Sequence, residues 1–287
     1  MQSFHDRVAV ITGAGSGIGL ALARQALARG MRVVLADLDH EALRRAADTL
    51  AADPARVLLH AADVSRDAEV AALADAAFAH FGQVHLLCNN AGVGFSRLAV
   101  EHSAADWEWV IGVNLYAAAH GIRHFLPRMQ AGGQAGHVLN TASAAGLVST
   151  PGMAAYNASK QGVVALSETL RAELLEQHSP IGVSVLCPAW VPTGIHASER
   201  ARPPRFGRAD QPSEASRVYA QTMQHAVESG RLSADDIARI AFEAVARGDF
   251  YILPHRRIAQ AVAQRFGEIA AAAETPLPPS TPARTPR

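Results

Sequence analysis

The sequence predicts an α/β fold: a doubly wound, seven-stranded parallel sheet flanked by helices in a single domain. Three observations carry this. Short, nearly continuous apolar runs alternate with helical segments from about residue 7 to residue 253, the rhythm of right-handed βαβ units. A glycine-rich turn joins the first run to the first helix. The chain of 287 residues, 49% hydrophobic and 18% charged, has the size and composition of one larger globular domain.

Residues 7–12 form the first strand, apolar throughout as a strand covered on both faces should be. A helix over 17–29 follows and is stopped by Gly30. The second strand, 31–36, ends at Asp37, and Asp39 caps a helix over 40–52. A third strand, 56–61, leads through Ala62-Asp63-Val64 to a helix ending near Phe81, with Ser65 as its expected cap. Residues 84–88 make the fourth strand. Ser103-Ala-Ala-Asp106 has capping-box spacing and opens one long helix through Trp107, Val110 and Val113, broken by Gly132, Gly133 and Gly136. Strand five covers 137–142. Thr150-Pro151 reads as an N-cap followed by proline at the first helical position, opening a helix to about His178. Strand six is 181–187. Residues 190–230 form a looser loop rich in proline and arginine. Ser233-Ala-Asp-Asp236 is a second capping box, its helix ends near Gly248, and strand seven is 250–253. A last helix fades at 273 into a proline- and threonine-rich tail, 274–287, expected to be disordered.

The bulk numbers exclude several classes. With 26 basic and 26 acidic residues the formal net charge is zero, so no nucleic acid or anionic membrane is expected as a partner. Cys88 and Cys187 each end an apolar run and read as buried free thiols. A strand pattern starts within a few residues of Met1 and no apolar run is long enough to cross a bilayer, which predicts a cytoplasmic protein without a leader. His120 and His124 share a helix face but lack a third ligand, so no metal site is expected.

The turn Thr12-Gly13-Ala14-Gly15-Ser16-Gly17-Ile18-Gly19 opens a helix inside a βαβ unit, where free N–H groups and the helix dipole favour a phosphate. Asp37, at the tip of the second strand, can accept hydrogen bonds from both hydroxyls of an adenosine ribose and repels a 2′-phosphate, so NAD is expected over NADP. Lys160 is the chain's single lysine among 26 Lys and Arg residues. It lies one helical turn beyond Tyr156, on the same face, as a proton-transfer pair would.

Taken in order, these motifs resemble the short-chain dehydrogenase/reductase family over residues 5 to about 255. They are the turn at 12–19, Asp63-Val64, Asn89-Asn90-Ala91-Gly92, Asn114, Ser143, Tyr156-x-x-x-Lys160, and Pro188 with Thr193. The resemblance implies a Rossmann-like fold in a homodimer or homotetramer. It implies that Gly13, Ser16, Gly17, Ile18, Gly19 and Asp37 hold the pyrophosphate and adenosine ribose, with Asp63 and Val64 along the adenine. Asn90, Ala91, Gly92, Tyr156 and Lys160 would support the nicotinamide ribose, and Pro188, Val191 and Thr193 would reach the nicotinamide. Ala189 departs from the family's glycine after that proline. A weaker similarity, in 109–114, 182–185 and 251–254, is to aryl-carbinol Cα-dehydrogenases.

The reaction implied is hydride transfer between NAD(H) and a secondary alcohol or ketone. Tyr156 is the general acid/base, Ser143 the group orienting the substrate oxygen, and Asn114 the holder of a water serving Lys160. Lowering a phenol from a pKa of about 10 to neutrality takes roughly 4 kcal/mol. One ammonium about 4 Å away supplies about that at an effective dielectric of 20. Phe95, Ser143 and Trp190 are the expected substrate contacts; with Val93, Leu147 and Met153 they predict an apolar or aromatic small molecule. The loop after Ile195 is expected to close over the site, its arginines forming a solvated face. A non-catalytic NAD-binding regulator is the competing class. A nucleotide-sugar epimerase or dehydratase is disfavoured because such relatives are longer.

Overall fold

The computed structural model describes residue 1 and residues 3–273; the predicted tail lies outside the described residues. Seven parallel strands form one sheet, β1 (Val8–Thr12), β2 (Arg32–Asp37), β3 (Val57–Ala61), β4 (Leu86–Asn89), β5 (Gly136–Thr141), β6 (Ile181–Leu186) and β7 (Tyr251–Ile252), in the order β3-β2-β1-β4-β5-β6-β7. The central strands are buried on both faces, as their unbroken apolar runs require. Alternate residues feed two cores. Val8, Val10, Leu87 and Val138 face one helical layer with Trp109 and Phe125. Ala9, Ile11, Leu86 and Leu139 face the other with Leu22 and Phe242.

The strand order reverses between β1 and β4, which pair through Ile11 and Cys88. The crevice at such a switch point opens beyond the carboxyl ends of the two strands, which here means at Gly13 and Asn90. The layer of Leu22 and Phe242 contains α1 (Gly17–Ala28) and α8 (Ala234–Arg247), the latter opened by the expected Ser233/Asp236 capping box. α2 (His40–Leu50) is capped by Asp39, whose carboxylate accepts from Ala42 N–H at 3.0 Å.

Four local readings are corrected. Ser65 does not cap α3 (Asp67–Phe81); its N–H and hydroxyl both donate to Asp63 Oδ1. The long helix from Ser103 is two helices, α4 (Ala104–Ile111) and α5 (Ala117–Ala131), joined by a π-helical turn, Gly112–Tyr116. α6 (Ala154–Glu176) starts later than Thr150-Pro151 predicts. The Asn157 side chain donates to Thr150 O at 2.8 Å and holds that segment as a turn, which Gly152 completes at φ +76°. Residues 190–230 carry more structure than a loop: two 3-10 segments, Gly194–Ala201 and Pro204–Phe206, and α7 (Glu214–Glu228). α9 (Ile258–Ala273) ends the described chain.

Candidate active site

One cavity of about 1140 Å³ runs across the carboxyl ends of the strands, from Asp37, Ala42 and Arg45 at one end to Tyr156 and Trp190 at the other. Its floor begins in the glycine turn. Gly13 and Gly17 have φ of +66° and +54°, positions that favour glycine. A Cβ on Gly19 would strike Gly13 O, and one on Gly13 would lie 2.9 Å from Ala91 Cα, so these glycines let the turn and the loop after β4 meet. α1 has neither a side-chain cap at Ser16 nor an acid in its first turn. Its N–H groups are therefore left to an anion in the groove. At the tip of β2, Asp37 accepts from Gly15 N–H at 3.0 Å and Asp39 N–H at 3.1 Å. The fixed carboxylate, the bare helix end and the glycine cradle together fit a dinucleotide.

Thr12, in the glycine turn, is the clasp between the two loops. Its hydroxyl accepts from the N–H groups of Asn90 and Ala91 at 2.9 and 3.0 Å, while the Asn90 side chain donates back to Thr12 O at 3.0 Å. Thr141 Oγ1 donates to Asn90 Oδ1 at 3.2 Å, so Asn90 ties the ends of β1, β4 and β5 together. Asn114 sits buried in the π-helical turn. It accepts from Val93 N–H at 2.8 Å and donates to Val93 O and Ser159 Oγ, both at 2.9 Å. Those bonds pin the loop after β4 to α6. Gly92 lies between Asn114 and Lys160, since a Cβ there would be 3.4 Å from Asn114 Oδ1 and 3.3 Å from Lys160 Nζ.

Tyr156, Ser143 and Lys160 converge at the far end, all buried and all lining the cavity. Ser143 Oγ accepts from Ala145 N–H at 3.1 Å and donates to Pro188 O at 3.3 Å. Lys160 Nζ donates to Thr141 O at 2.9 Å and lies 5.8 Å from the centre of the Tyr156 ring. The expectation of an ammonium beside the phenol, lowering its pKa, is corrected here. Burial pushes Tyr156 above its usual value, and the nearby Ser143 hydroxyl pulls it partly back. Burial also lowers Lys160 to about 8. Desolvation is the largest cause for both groups.

Pro188, Ala189, Trp190, Val191 and Thr193 line the same cavity after β6. Ala189 N–H donates to His255 Nδ1 at 3.1 Å, a contact with no sequence signal because His255 lies beyond β7. Trp190 packs with Ala145, Met153, Tyr156, Met223 and Val227 in a small apolar cluster over the Tyr156 end. Met223 and Val227 come from α7, inside the stretch 190–230 that the sequence predicts as loop. Phe95 is not among the cavity residues. It is a core residue, stacked on Trp109 and His102 with ring centres 6.0 and 5.3 Å away, because the loop after β4 turns it inward. Cys187 is a buried free thiol raised to about 12 by burial, and so protonated. His124 pairs with Asp67 at 2.8 Å and His120 meets Val64 O, contacts within one chain. Among the described residues no three acidic, histidine or cysteine side chains are grouped to hold a metal, and no helix is long and apolar enough to cross a membrane.

A parallel sheet with its crevice at the switch point, ending on a tyrosine, a serine and a lysine, defines an α/β oxidoreductase. Residues 7–204 match the short chain dehydrogenase family model, and the chain belongs to the short-chain dehydrogenase/reductase family. It is 48% identical to a short-chain dehydrogenase/reductase from Burkholderia phymatum solved in complex with NAD, with a TM-score of 0.92 over 98% of this chain and 100% of that one. It is 34% identical over 258 residues to the CLA biosynthesis dehydrogenase/reductase of Lactiplantibacillus plantarum, covering 89% of this chain and 90% of that protein. The C alpha-dehydrogenase of Sphingobium sp. is 30% identical over 272 residues, 94% of this chain and 87% of its own length.

Proposed function

We propose that this protein transfers a hydride between NAD(H) and a secondary alcohol or ketone on an apolar or aromatic frame, with Tyr156 as general acid/base. One observation carries the reading: Tyr156, Ser143 and Lys160 line one end of a cavity whose other end is the glycine cradle and Asp37. NAD, when bound, supplies the hydride acceptor; the chain supplies position and a proton path. Ser143 is held by Ala145 N–H and Pro188 O, so its hydroxyl is oriented before a substrate oxygen arrives. Tyr156, kept protonated by burial, stands ready to donate to a ketone oxygen. As a base toward an alcohol it needs positive charge nearby, and Lys160 is the chain's contribution. Lys160 is itself fixed on Thr141 O, with Asn114 across Gly92.

The apolar cluster of Trp190, Met153, Met223 and Val227 supports an apolar substrate. Asp37 supports NAD over NADP, since a 2′-phosphate would meet its carboxylate; kcat/KM values favouring NADP would overturn that preference. The cytoplasmic location and the homodimer or homotetramer belong to the same reading and rest on the family resemblance. A panel of secondary alcohols with NAD, followed at about 340 nm, tests the activity. We expect turnover that Tyr156→Phe lowers by about 100-fold or more while NADH still binds. NADH binding with no turnover across a broad panel would instead support a non-catalytic regulator.

A further inference from the structure

Of the arginines at 200, 202, 205 and 208 that the sequence predicts as a solvated face, Arg200, Arg205 and Arg208 are exposed and Arg202 is not. Arg202 is a buried anchor. Its guanidinium donates to Asp106 Oδ1 at 2.6 Å and Phe206 O at 3.2 Å and lies 5.1 Å over the Trp109 ring, fixing the segment to α4. Arg200 lies against Gly194, where a Cβ would collide with its guanidinium. Arg205 reaches across the cavity mouth to its floor. One nitrogen meets Asp63 Oδ2 at 2.7 Å, and the other donates to Ser65 Oγ at 2.8 Å. Asp63 follows β3 and sits beside the tip of β2, where Ala62 N–H donates to Asp37 O at 2.9 Å. This is the Asp37 end of the groove, remote from Tyr156. Asp37, Asp63, Arg200, Arg202 and Arg205 all line that cavity.

We propose that Arg205 is a latch: its ion pair with Asp63 and Ser65 closes the 194–206 segment over the adenosine end of the groove and sets how fast the dinucleotide enters and leaves. The proposal rests on the cofactor reading above. Asp63 is well prepared for the contact. Its Oδ1 is taken by the Ser65 N–H and hydroxyl at 3.1 and 2.6 Å, and its N–H is held by Glu69 at 2.6 Å, which leaves Oδ2 facing the roof. Phe206 is buried beneath the segment, and the Arg205 guanidinium stacks over its ring at 4.4 Å, so the arginine leaves a fixed base. A roof-to-floor contact is made between protein groups, not between protein and ligand. It therefore adds to the barrier in both directions and does not favour bound over free protein. With the Arg205 side chain 38% exposed, the pair has the strength of a partly solvated bridge, equivalent to about a fivefold change in rate.

The test is stopped-flow binding and displacement of NADH, read by energy transfer from tryptophan, on the full chain and on Arg205→Met. We expect association and dissociation rate constants both to rise about fivefold, with Kd changed by less than about twofold. Ser65→Ala, which spares the ion pair, should raise both by about twofold, and it carries the test if Arg205→Met fails to fold. Unchanged rates overturn the latch. A rise in dissociation alone, with weaker Kd, would make Arg205 a ligand of the dinucleotide, and a tighter Kd would make it an obstruction; either result also overturns it. Failure of the unaltered protein to bind NADH defeats the cofactor reading instead, so the two failures are distinguishable.

Discussion

Asp106→Asn is the sharpest probe of how the roof is held. Asp106 performs two tasks at once. Its Oδ2 accepts from Ser103 N–H at 2.9 Å as the N3 half of the α4 capping box, and its Oδ1 faces Arg202. Asparagine keeps the shape and an acceptor for the cap but removes the charge. The side chains of Arg202 and Asp106 are only 4% and 1% exposed, so the guanidinium would stay buried with only the solvated Glu199 carboxylate, 3.3 Å away, as counter-charge. Removing one partner of such a pair costs about 3–5 kcal/mol, and the low end applies because the amide oxygen still accepts a hydrogen bond. At about 2–4 °C per kcal/mol for a chain of this class, a loss of about 3 kcal/mol lowers Tm by about 6–12 °C. The assay is thermal unfolding at fixed protein concentration, run also on Arg202→Met and on the double variant. The double variant should recover part of the loss, with a coupling of about 1–3 kcal/mol. A Tm drop under about 2 °C, or strictly additive losses, would refute the reasoning. The pH dependence has a defined sign. Burial alone would raise the Asp106 carboxyl, but the Ser103 N–H and Arg202 hold it below its ordinary value. Its stabilisation is thus fully present above the unfolded value of about 3.9 and is lost as pH falls through the lower folded value. Asp106→Asn should remove that part of the acid sensitivity and leave the neutral range flat.

Three further outcomes follow from the site. Lys160→Arg keeps the charge but forces a wider head into a buried slot against Thr141 O and Gly92, and should lower turnover by about 100-fold or more. With Lys160 lowered to about 8, the unfolded chain holds the proton longer than the folded one, so its contribution makes stability rise between about pH 8 and about pH 10.4; urea midpoints of Lys160→Met should lack that component. Gly19→Ala sets a methyl against Gly13 O at the base of the cradle and should abolish NADH binding in a fluorescence titration.

The sheet was legible because apolar runs such as 8–12 and 181–186 can only be strands buried on both faces. Both capping boxes were legible because Ser103/Asp106 and Ser233/Asp236 are local contacts. Thr150-Pro151 misled for the opposite reason: Asn157, a residue farther along the chain, bonds Thr150 and delays the helix. Phe95 was misplaced because its position between catalytic motifs does not say which way a loop side chain turns. Met223, Val227, His255 and Arg205 were missed as site residues because each arrives from an element distant in sequence. Spacing puts Tyr156 and Lys160 on one face, but only the structure shows how thoroughly both are stripped of water.

The π-helical turn at Gly112–Tyr116 has a consequence for phase. An α-helix advances about 100° per residue, and a π turn absorbs one residue more than an α turn. α4 and α5 can therefore each aim a separate apolar face at the same core, Trp109 and Val110 from one and Phe125 and Met129 from the other, with Asn114 turned inward at the step. Deleting a single residue within 112–116 would straighten the helix and rotate everything beyond it by about 100°. Either Phe125 would face water or Asn114 would lose Val93. The irregular turn acts as a gear, keeping a packing helix and a site residue in step where a regular helix would force a choice between them.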